Sequence, residues 1–348
     1  MTHLLIGGLA GAAFSPPEKT QRMMFTGALI QVVPDLDVVT ALWMSPAEAL
    51  VAHRGFSHSF LFALLFALFL SSWLPHSKSL DRSPGFWLGF TLVQLIIHDV
   101  LDAFNAYGTA WFLPFDDRRI SFHSLYVADP LFTLGPAAGI IALLVLRKED
   151  ARARMIPFLS MLWCILFLMT AFFMKERIMS SLEQRQELKQ VGDGQILITP
   201  MPFSSLLWFA AIPSDSGFFI GYRSVFEKQN PIRLQFISAK KRYAGLFSEN
   251  NELNILLNFS GNDWLITSDH IDGRIEYFFT NLRFGIRPGW NSMEPLQSTD
   301  FVLRYPLSEE FTGRTLLQSG RASGLDKEGI RELFKKTFPS GRPLQSPK

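Results

Sequence analysis

Long apolar runs dominate the first half of the chain, and short alternating segments dominate the second half. The apolar runs cover roughly residues 3–14, 24–43, 57–75, 86–104, 128–146 and 155–174. A helix needs about 20 apolar residues to cross the hydrocarbon core of a bilayer, and most of these runs are that long. The pattern predicts an α-helical polytopic membrane domain of about five or six spans, residues 1–174, followed by a small β-rich extramembrane domain.

The first run, HLLIGGLAGAAF at residues 3–14, admits two interpretations. As a helix it would extend only about 18 Å, so it would thin the bilayer locally or re-enter it. It also resembles the apolar part of a signal peptide, because Gly11-Ala12-Ala13 is similar to a small-residue cleavage site. Lys or Arg normally precedes the apolar part of such a peptide, and none does here, which favours a retained helix.

Beyond residue 174, charged residues and strand-like alternation replace the apolar runs. The pattern predicts a polar helical linker at residues 175–194, a β-rich domain at 195–310 and a basic tail at 311–348 with one short helix at 326–337. The predicted strands lie in the segments QILITPMPF, LLWFAAI, GFFIGYRSVF, IRLQFI, LNILLNF, WLITSD, RIEYFFTNLRFGI and DFVLRYP. Short strands at this spacing indicate an antiparallel sandwich or barrel, which we interpret as a lid or recognition module.

The charge balance narrows the range of partners. The 348 residues carry a formal net charge of only +2, and 48% of them are hydrophobic. This balance gives no electrostatic basis for binding nucleic acid, so the expected partners are membrane lipids and a small or lipid-linked substrate. Cys164 is the single cysteine, which excludes an intrachain disulfide.

Lys and Arg in the short connections predict the orientation of the membrane domain. One set of connections holds eight of them and the opposite set holds three; the eight are Lys19, Arg22, Lys78, Arg82, Arg147, Lys148, Arg152 and Arg154, and the three are Arg54, Arg118 and Arg119. Because the richer set should face the cytoplasm, we expect everything after residue 175 to lie outside. The polar residues of the spans then gather near the outer membrane face.

Candidate chemistry begins with LIIHDVLDAF. His98 and Asp102 stand four residues apart, so they share one face of a helix, while Asp99 points about 100° away. An ionisable side chain inside a span is costly and therefore indicates function. The alternative is a His–Asp hydrogen bond that only joins two helices.

Two further motifs supply the same residue types. PDLD places Asp35 and Asp37 after a proline, which disfavours helix at the preceding residue and frees the backbone around the two acids, so that they can turn inward as ligands. The alternative is a helix-ending turn at which both acids are solvated. In HRGFSHS, His53 and His58 are too far apart around a continuous helix to share one metal. A loop at Gly55 relieves this, with Ser57 as a cap for the helix that carries His58.

Arg54 can hold a phosphate or carboxylate, or can pair with Asp37. Imidazoles together with carboxylates suit zinc, manganese or iron, and the number of candidate ligands allows one or two ions that activate water. The sequence contains no G-x-S-x-G elbow and no P-loop, so a side-chain nucleophile has no visible candidate.

These motifs in this order resemble a known family. An N-terminal TH, then PDLD, HRGFSHS, H-x-x-x-D with YGT, LPFDDRRISF and ADPLFTLG resemble the YdjM-like membrane-bound metal-dependent hydrolases over roughly residues 1–135. ITPMPFSSLLWFAAI and GFFIGYRS are similar to the C-terminal part of longer members. The family is distantly similar to the all-helical zinc-dependent phospholipase C and nuclease fold, which implies a His and Asp metal cluster that includes a residue near the N-terminus.

The resemblance implies roles for individual residues. The implied metal ligands are His3, Asp35, His53, His58, His98 and Asp102. The implied catalytic residues are Asp35, Arg54 and Asp129. The residues implied to support the ligands or to contact substrate are Asp37, Arg54 and Asp129. Ser57 stands where the family commonly has Thr, which keeps a hydroxyl.

The leading hypothesis is therefore a membrane-embedded metal-dependent hydrolase. Water would be activated by one or two zinc-like ions at the outer membrane–water interface of a bacterial inner-membrane protein, on a phosphoester or lipid-linked substrate. The alternative is a transporter or ion relay that uses the same His and Asp residues, which predicts polar residues at successive depths. A purely structural anchor for the β-rich domain leaves the clustered ligands unexplained.

Overall fold

The computed structural model describes residues 1–76, 82–146, 151–184, 195–201, 204–227, 232–238, 251–271, 273–286, 301–307 and 327–338. It divides into two compact units, Met1–Phe172 and Phe173–Lys348. Lys78, Arg147 and Lys148 of the orientation argument lie outside the described residues, as do residues 185–194, the second half of the predicted linker.

The N-terminal region is helical. Its α-helices are α1 (Thr2–Ala13), α2 (Thr20–Val32), α3 (Pro46–Ala52), α4 (Phe60–Trp73), α5 (Pro84–Ala103), α6 (Pro130–Val145) and α7 (Ile156–Glu183). Short 3-10 helices cover Pro17–Lys19, Pro34–Leu42, Phe56–His58, Leu74–His76 and Ala151–Arg154. Oxygen-bearing side chains cap four helix starts and set where those helices begin; these caps are Ser45, Ser59, Ser83 and Asp129.

Length and composition give two to four candidate membrane spans among the described residues. α5 and the segment Arg152–Glu183 are long and apolar enough to cross a bilayer alone. Two bent pairs qualify if each pair is one span, Pro17–Val32 with Pro34–Leu42 at 49° and Pro46–His58 with Phe60–Trp73 at 54°. A count of five or six also needs α1 and α6, which have 12 and 16 residues, so that count stays a prediction.

Glycines bring α1 and α2 into backbone contact. A Cβ on Gly11 would lie 2.0 Å from the carbonyl oxygen of Met23, and a Cβ on Gly27 would lie 2.2 Å from that of Gly7. No real Cβ tolerates such distances, so only glycine permits this approach. The position of α1, which carries His3, is thereby fixed against α2.

The C-terminal unit contains two antiparallel sheets. The first has the order β1 (Leu197–Met201), β2 (Ser204–Ser214), β3 (Gly217–Ser224), β4 (Leu234–Ser238), and the second the order β5 (Trp264–Ile271), β6 (Arg274–Ile286), β7 (Phe301–Leu307). Buried side chains of both sheets form one core, in which Phe209 and Ile220 of the first sheet join Leu265 and Leu282 of the second. The N-terminal helices are thus followed by a β-sheet-rich part.

One strand prediction was wrong. The segment LNILLNF lies in a helix, α8 (Asn251–Ser260), and not in a strand. Its buried residues Leu253, Leu256 and Phe259 recur every three positions, which matches the helical period and not the alternation of a strand. A further helix, α9 (Lys327–Thr337), occupies the tail.

Candidate metal centre

Three segments of the N-terminal unit bring four side chains together. The last turns of α5 carry His98 and Asp102, four residues apart on one face. Asp35 stands in the first turn of the 3-10 helix Pro34–Leu42, and His58 ends the short 3-10 helix before α4. Pro34 ends α2 and turns the chain, which places Asp35 beside the end of α5.

The four side chains point one atom each at a common position. These atoms are Asp35 Oδ1, His58 Nε2, His98 Nε2 and Asp102 Oδ2, and all lie within 4.8 Å of one another. The two imidazole nitrogens are 3.1 Å apart, and the separations between an imidazole nitrogen and a carboxylate oxygen run from 3.5 to 3.7 Å. A tetrahedral ion with bonds of about 2.1 Å separates its ligands by about 3.4 Å. The group could therefore hold a metal ion.

Hydrogen bonds on the far side of each imidazole orient its lone pair toward this position. His98 Nδ1 donates to the backbone carbonyl oxygen of Gln31 at 2.7 Å, and since a carbonyl only accepts, the proton of the neutral ring is on Nδ1. His58 Nδ1 lies 3.0 Å from Ser57 Oγ, which itself donates to Asp37 Oδ2. With both rings neutral and protonated on Nδ1, each Nε2 directs a lone pair toward the common position, in the arrangement typical of metal-bound histidines.

Asp37 organises the HRGFSHS loop without being one of the four residues. Its Oδ2 accepts from the Arg54 backbone N–H at 2.9 Å and from Ser57 Oγ at 2.6 Å, and lies 3.3 Å from His58 Nδ1. Its Oδ1 is 2.6 Å from His53 Nδ1. His53, a predicted ligand, therefore pairs with Asp37, at a ring distance of 5.8 Å from His58.

Arg54 is a buried cation beside the group, 4% exposed. Its Nε lies 2.9 Å from Asp102 Oδ2, its Nη1 donates to Asn105 Oδ1, and its guanidinium lies 5.0 Å from the centre of the Tyr107 ring. Its φ of 61° is in the left-handed region, which a residue with a Cβ seldom adopts. The guanidinium faces Asp102, and the backbone N–H of Arg54 donates to Asp37.

His3 reaches the same carboxylate from α1. Its Nε2 is 3.0 Å from Asp102 Oδ1, and its ring lies 4.0 Å from the His98 ring, centroid to centroid. Asp102 thus directs Oδ1 toward His3, and directs Oδ2 toward Arg54 and the point on which the four side chains converge. His3 contacts two members of the group, Asp102 and His98, and is not itself one of the four.

Two serines and Asp129 serve as local structural contacts. Ser59, and not Ser57, caps α4, because Ser59 Oγ accepts from the Phe62 N–H while Ser57 Oγ is taken by Asp37. Asp129 is the N-cap of α6, accepting from the N–H groups of Leu131 and Phe132 at 2.9 and 3.1 Å. Its predicted contact with substrate stays a prediction.

Asp99 lies outside the group formed by the four side chains, as its predicted direction about 100° from His98 requires, but it is buried as well. It is 1% exposed, and neither carboxylate oxygen has a hydrogen-bond partner among the described residues. Its backbone carbonyl accepts from Trp111 Nε1 and Thr109 Oγ1. Asp99 is therefore a second buried carboxylate of α5, outside the four-atom group.

Sequence reasoning did not identify Gln31, Asn105 or Tyr107. Gln31 accepts from His98 through its backbone carbonyl. Because every residue has such a carbonyl, the identity of residue 31 could not have predicted this contact. Asn105 holds Arg54, but it lies beyond the end of α5 at Ala103, so helical spacing from Asp102 gave no signal for it.

Comparisons with known proteins agree with a membrane protein. Residues 1–178 match the family model described as YdjM inner membrane protein. The "Uncharacterized protein YfhP" of Bacillus subtilis (strain 168) is 26% identical over 234 residues, 63% of this chain and 66% of that protein. The "Inner membrane protein YbcI" of Escherichia coli (strain K12) is 32% identical over 118 residues, 33% of this chain and 65% of that protein.

The chain thus spans just under two thirds of the length of each of these relatives, and neither name states an activity. No solved structure matches the chain.

Proposed function

Since the chain belongs to the YdjM inner membrane protein family, we propose that it is a membrane-embedded hydrolase whose Asp35, His58, His98 and Asp102 hold one divalent cation. The observation that carries the proposal is the convergence of four lone-pair atoms within 4.8 Å of one another, in which every distance to an imidazole nitrogen is 3.1–3.7 Å. When both Nε2 atoms are unprotonated, they and the two carboxylate oxygens repel one another in a buried site unless a cation lies between them.

The charge around the site supports a divalent ion. Asp35, Asp37 and Asp102 bring three negative charges into contact with the histidines, and Arg54 brings one positive charge. With neutral imidazoles the balance is about two negative charges, which one divalent cation offsets. Zinc is the proposed ion, since two imidazole nitrogens and two carboxylate oxygens are common zinc ligands; manganese and iron accept the same set.

When bound, such an ion activates water for attack and stabilises the negative charge that develops on the substrate. The protein's own residues supply the rest. His3 and Arg54 fix the two oxygens of Asp102, and Arg54 adds positive charge for an anionic substrate group. Asp35 is the most exposed of the four residues, with 33% of its side chain accessible against 0 to 4% for the others, so we assign substrate entry and catalysis to its side.

The surroundings of Asp35 favour a lipid-linked or amphiphilic substrate. The 3-10 helix that begins next to it leaves Leu36, Val38 and Leu42 62%, 62% and 80% exposed, and Trp43 follows at 67%. A substrate that approaches Asp35 therefore crosses an apolar surface. We propose a phosphoester of a lipid at headgroup depth on the outer face, the side that the distribution of Lys and Arg predicts.

A buried polar stripe favours the second candidate, an ion or proton relay. Trp87, Thr91 and Gln94 continue the face of His98 along α5, and each has a polar atom without a hydrogen-bond partner among the described residues. Both side-chain polar atoms of the buried Gln31 are also unpartnered there. From Asp102 to Trp87 the stripe covers about 22 Å, so uncharged polar groups do stand at successive depths.

One pair of measurements on the purified chain separates the two candidates. Zinc-loaded protein in nanodiscs should release phosphate from a short-chain phosphatidic acid, and His98→Ala should abolish the release. In proteoliposomes with a trapped pH-sensitive dye, an imposed membrane potential should drive no more proton flux through the wild-type protein than through His98→Ala. Proton flux without hydrolysis would contradict the proposal and favour the relay. Because one lipid does not represent all phosphoesters, inactivity on a panel of lipid and soluble phosphoesters would contradict the hydrolase.

A further inference from the structure

Helix α9 has one side fastened to the β-sheet-rich unit. Leu333 packs against the shared core of the two sheets, together with Tyr222. Thr337 is buried, and its backbone carbonyl accepts from Ser224 Oγ at 2.5 Å. The ammonium of Lys336 lies 4.3 Å from the centre of the Tyr222 ring. These contacts fix which face of α9 points away from the sheets.

The outward face is apolar and aromatic. Ile330, Phe334 and Phe338 follow one another at intervals of four residues and are 42%, 61% and 49% exposed. Phe226, which follows β3 and is 50% exposed, stacks on Phe338 with ring centres 5.0 Å apart. Three large aromatic side chains in one exposed patch indicate a surface that binds a membrane or another protein.

Basic residues border this patch. Arg331 and Lys335 are exposed on the same helix. Residues 327–348 together contain six Lys or Arg and two Glu. An apolar helical face with a basic border is the pattern of helices that lie in the interface of an anionic bilayer.

Two occupants compete for such a face, and the charges favour one of them. A second copy of the chain would bring like charges together, whereas anionic lipid headgroups attract Lys and Arg. The chain also carries a candidate membrane span, Arg152–Glu183, before the β-sheet-rich unit. That unit is therefore held near a bilayer, and a weak surface interaction suffices at this high effective concentration.

We propose that the patch Ile330, Phe334, Phe338 and Phe226 inserts into the headgroup region of an anionic lipid bilayer, with Arg331 and Lys335 at the phosphates. This role is independent of the metal centre. It gives the β-sheet-rich unit a fixed orientation on the membrane surface.

The test uses the full chain in nanodiscs of phosphatidylcholine alone or mixed with phosphatidylglycerol. In a Cys164→Ala background, Ile330→Cys carries an environment-sensitive NBD label and leaves the three phenylalanines intact. The matched control carries the label at Ser216→Cys, at the exposed β2–β3 turn. We expect a blue shift and quenching by spin-labelled lipid at position 330 in the mixed bilayer, no change at 216, and reversal of the shift by Arg331→Glu with Lys335→Glu.

Three outcomes would overturn the proposal. The first is the same spectrum at 330 and 216 in both bilayers, and the second is an equal blue shift with and without phosphatidylglycerol. The third is a shift in detergent that grows with protein concentration, which would assign the patch to a second copy of the chain.

Discussion

At the residue scale, the predicted ligands include the four residues that the structure brings together, but the sequence did not separate these four from His3 and His53. The four-residue spacing of His98 and Asp102 on a long apolar run is enough to place both on one face. The loop HRGFSHS has no such periodicity, and its Arg54 adopts a left-handed backbone conformation that the sequence did not predict. His58 joins the four-atom group while His53 pairs with Asp37.

Asp37 provides a test at this scale. Asp37→Ala removes the acceptor of Arg54 N–H, Ser57 Oγ and the His53 imidazole, so we expect about 3–5 kcal/mol of destabilisation and a loss of bound metal. Ser57→Ala removes one of these donors and should cost about 1 kcal/mol. Thermal unfolding in detergent with metal analysis measures both. Equal unfolding midpoints for the two variants would show that Asp37 does not organise the loop.

At the scale of elements, hydrophobic periodicity predicted the long helices and most strands. It failed in α8, where a segment with a helical three-residue spacing of buried side chains was predicted as a strand. It also could not predict how α1 and α2 pack. GGLAG in α1 is only a small-residue stretch in the sequence, whereas the structure shows Gly11 at the backbone of Met23. That contact positions His3 at Asp102, so helix packing and the site are linked.

Matched glycine substitutions test this link. Gly11→Ala places a methyl group against backbone that cannot move away, so we expect a loss of about 1–3 kcal/mol or more, together with weaker metal binding. Gly89→Ala is the control, since no neighbouring element of the described part of the chain lies within 4 Å of its Cβ position, and helix propensity predicts neutrality or a gain of up to about 1 kcal/mol. The unfolding midpoint of each variant gives the answer, and a silent Gly11→Ala would contradict the close contact.

At the scale of the whole molecule, a helical membrane region precedes a β-sheet-rich unit, and the four site residues, together with His3, come from segments that meet at one end of the helices. His3 is at the start of α1, Asp35 follows α2, His58 precedes α4, and His98 and Asp102 end α5. A one-sided site suits a reaction at one membrane face. The distribution of Lys and Arg in the sequence already predicted that the polar residues lie near one membrane face, and it predicts that this face is the outer one.

Reporter fusions test the orientation. A reporter fused after Arg152 should behave as cytoplasmic, and one fused after Lys348 as external, because an odd number of crossings must separate them. Alkaline phosphatase and green fluorescent protein fusions at both positions give complementary signals. Reports from the same side would refute the six-span arrangement and the outer-face location of the site.

The most direct test of the account is the metal content of the folded, detergent-solubilised protein, measured by elemental analysis after zinc loading and desalting. The variants are His58→Ala, His98→Ala, Asp102→Ala and Asp35→Ala, with Asp99→Asn as the control, since Asp99 is buried in the same helix but lies outside the four-atom group. We predict about one ion per chain in the wild type and in Asp99→Asn, and much less in the other four. Equal metal content in all six proteins would contradict the proposed metal centre, as would a loss in Asp99→Asn as large as in the ligand variants.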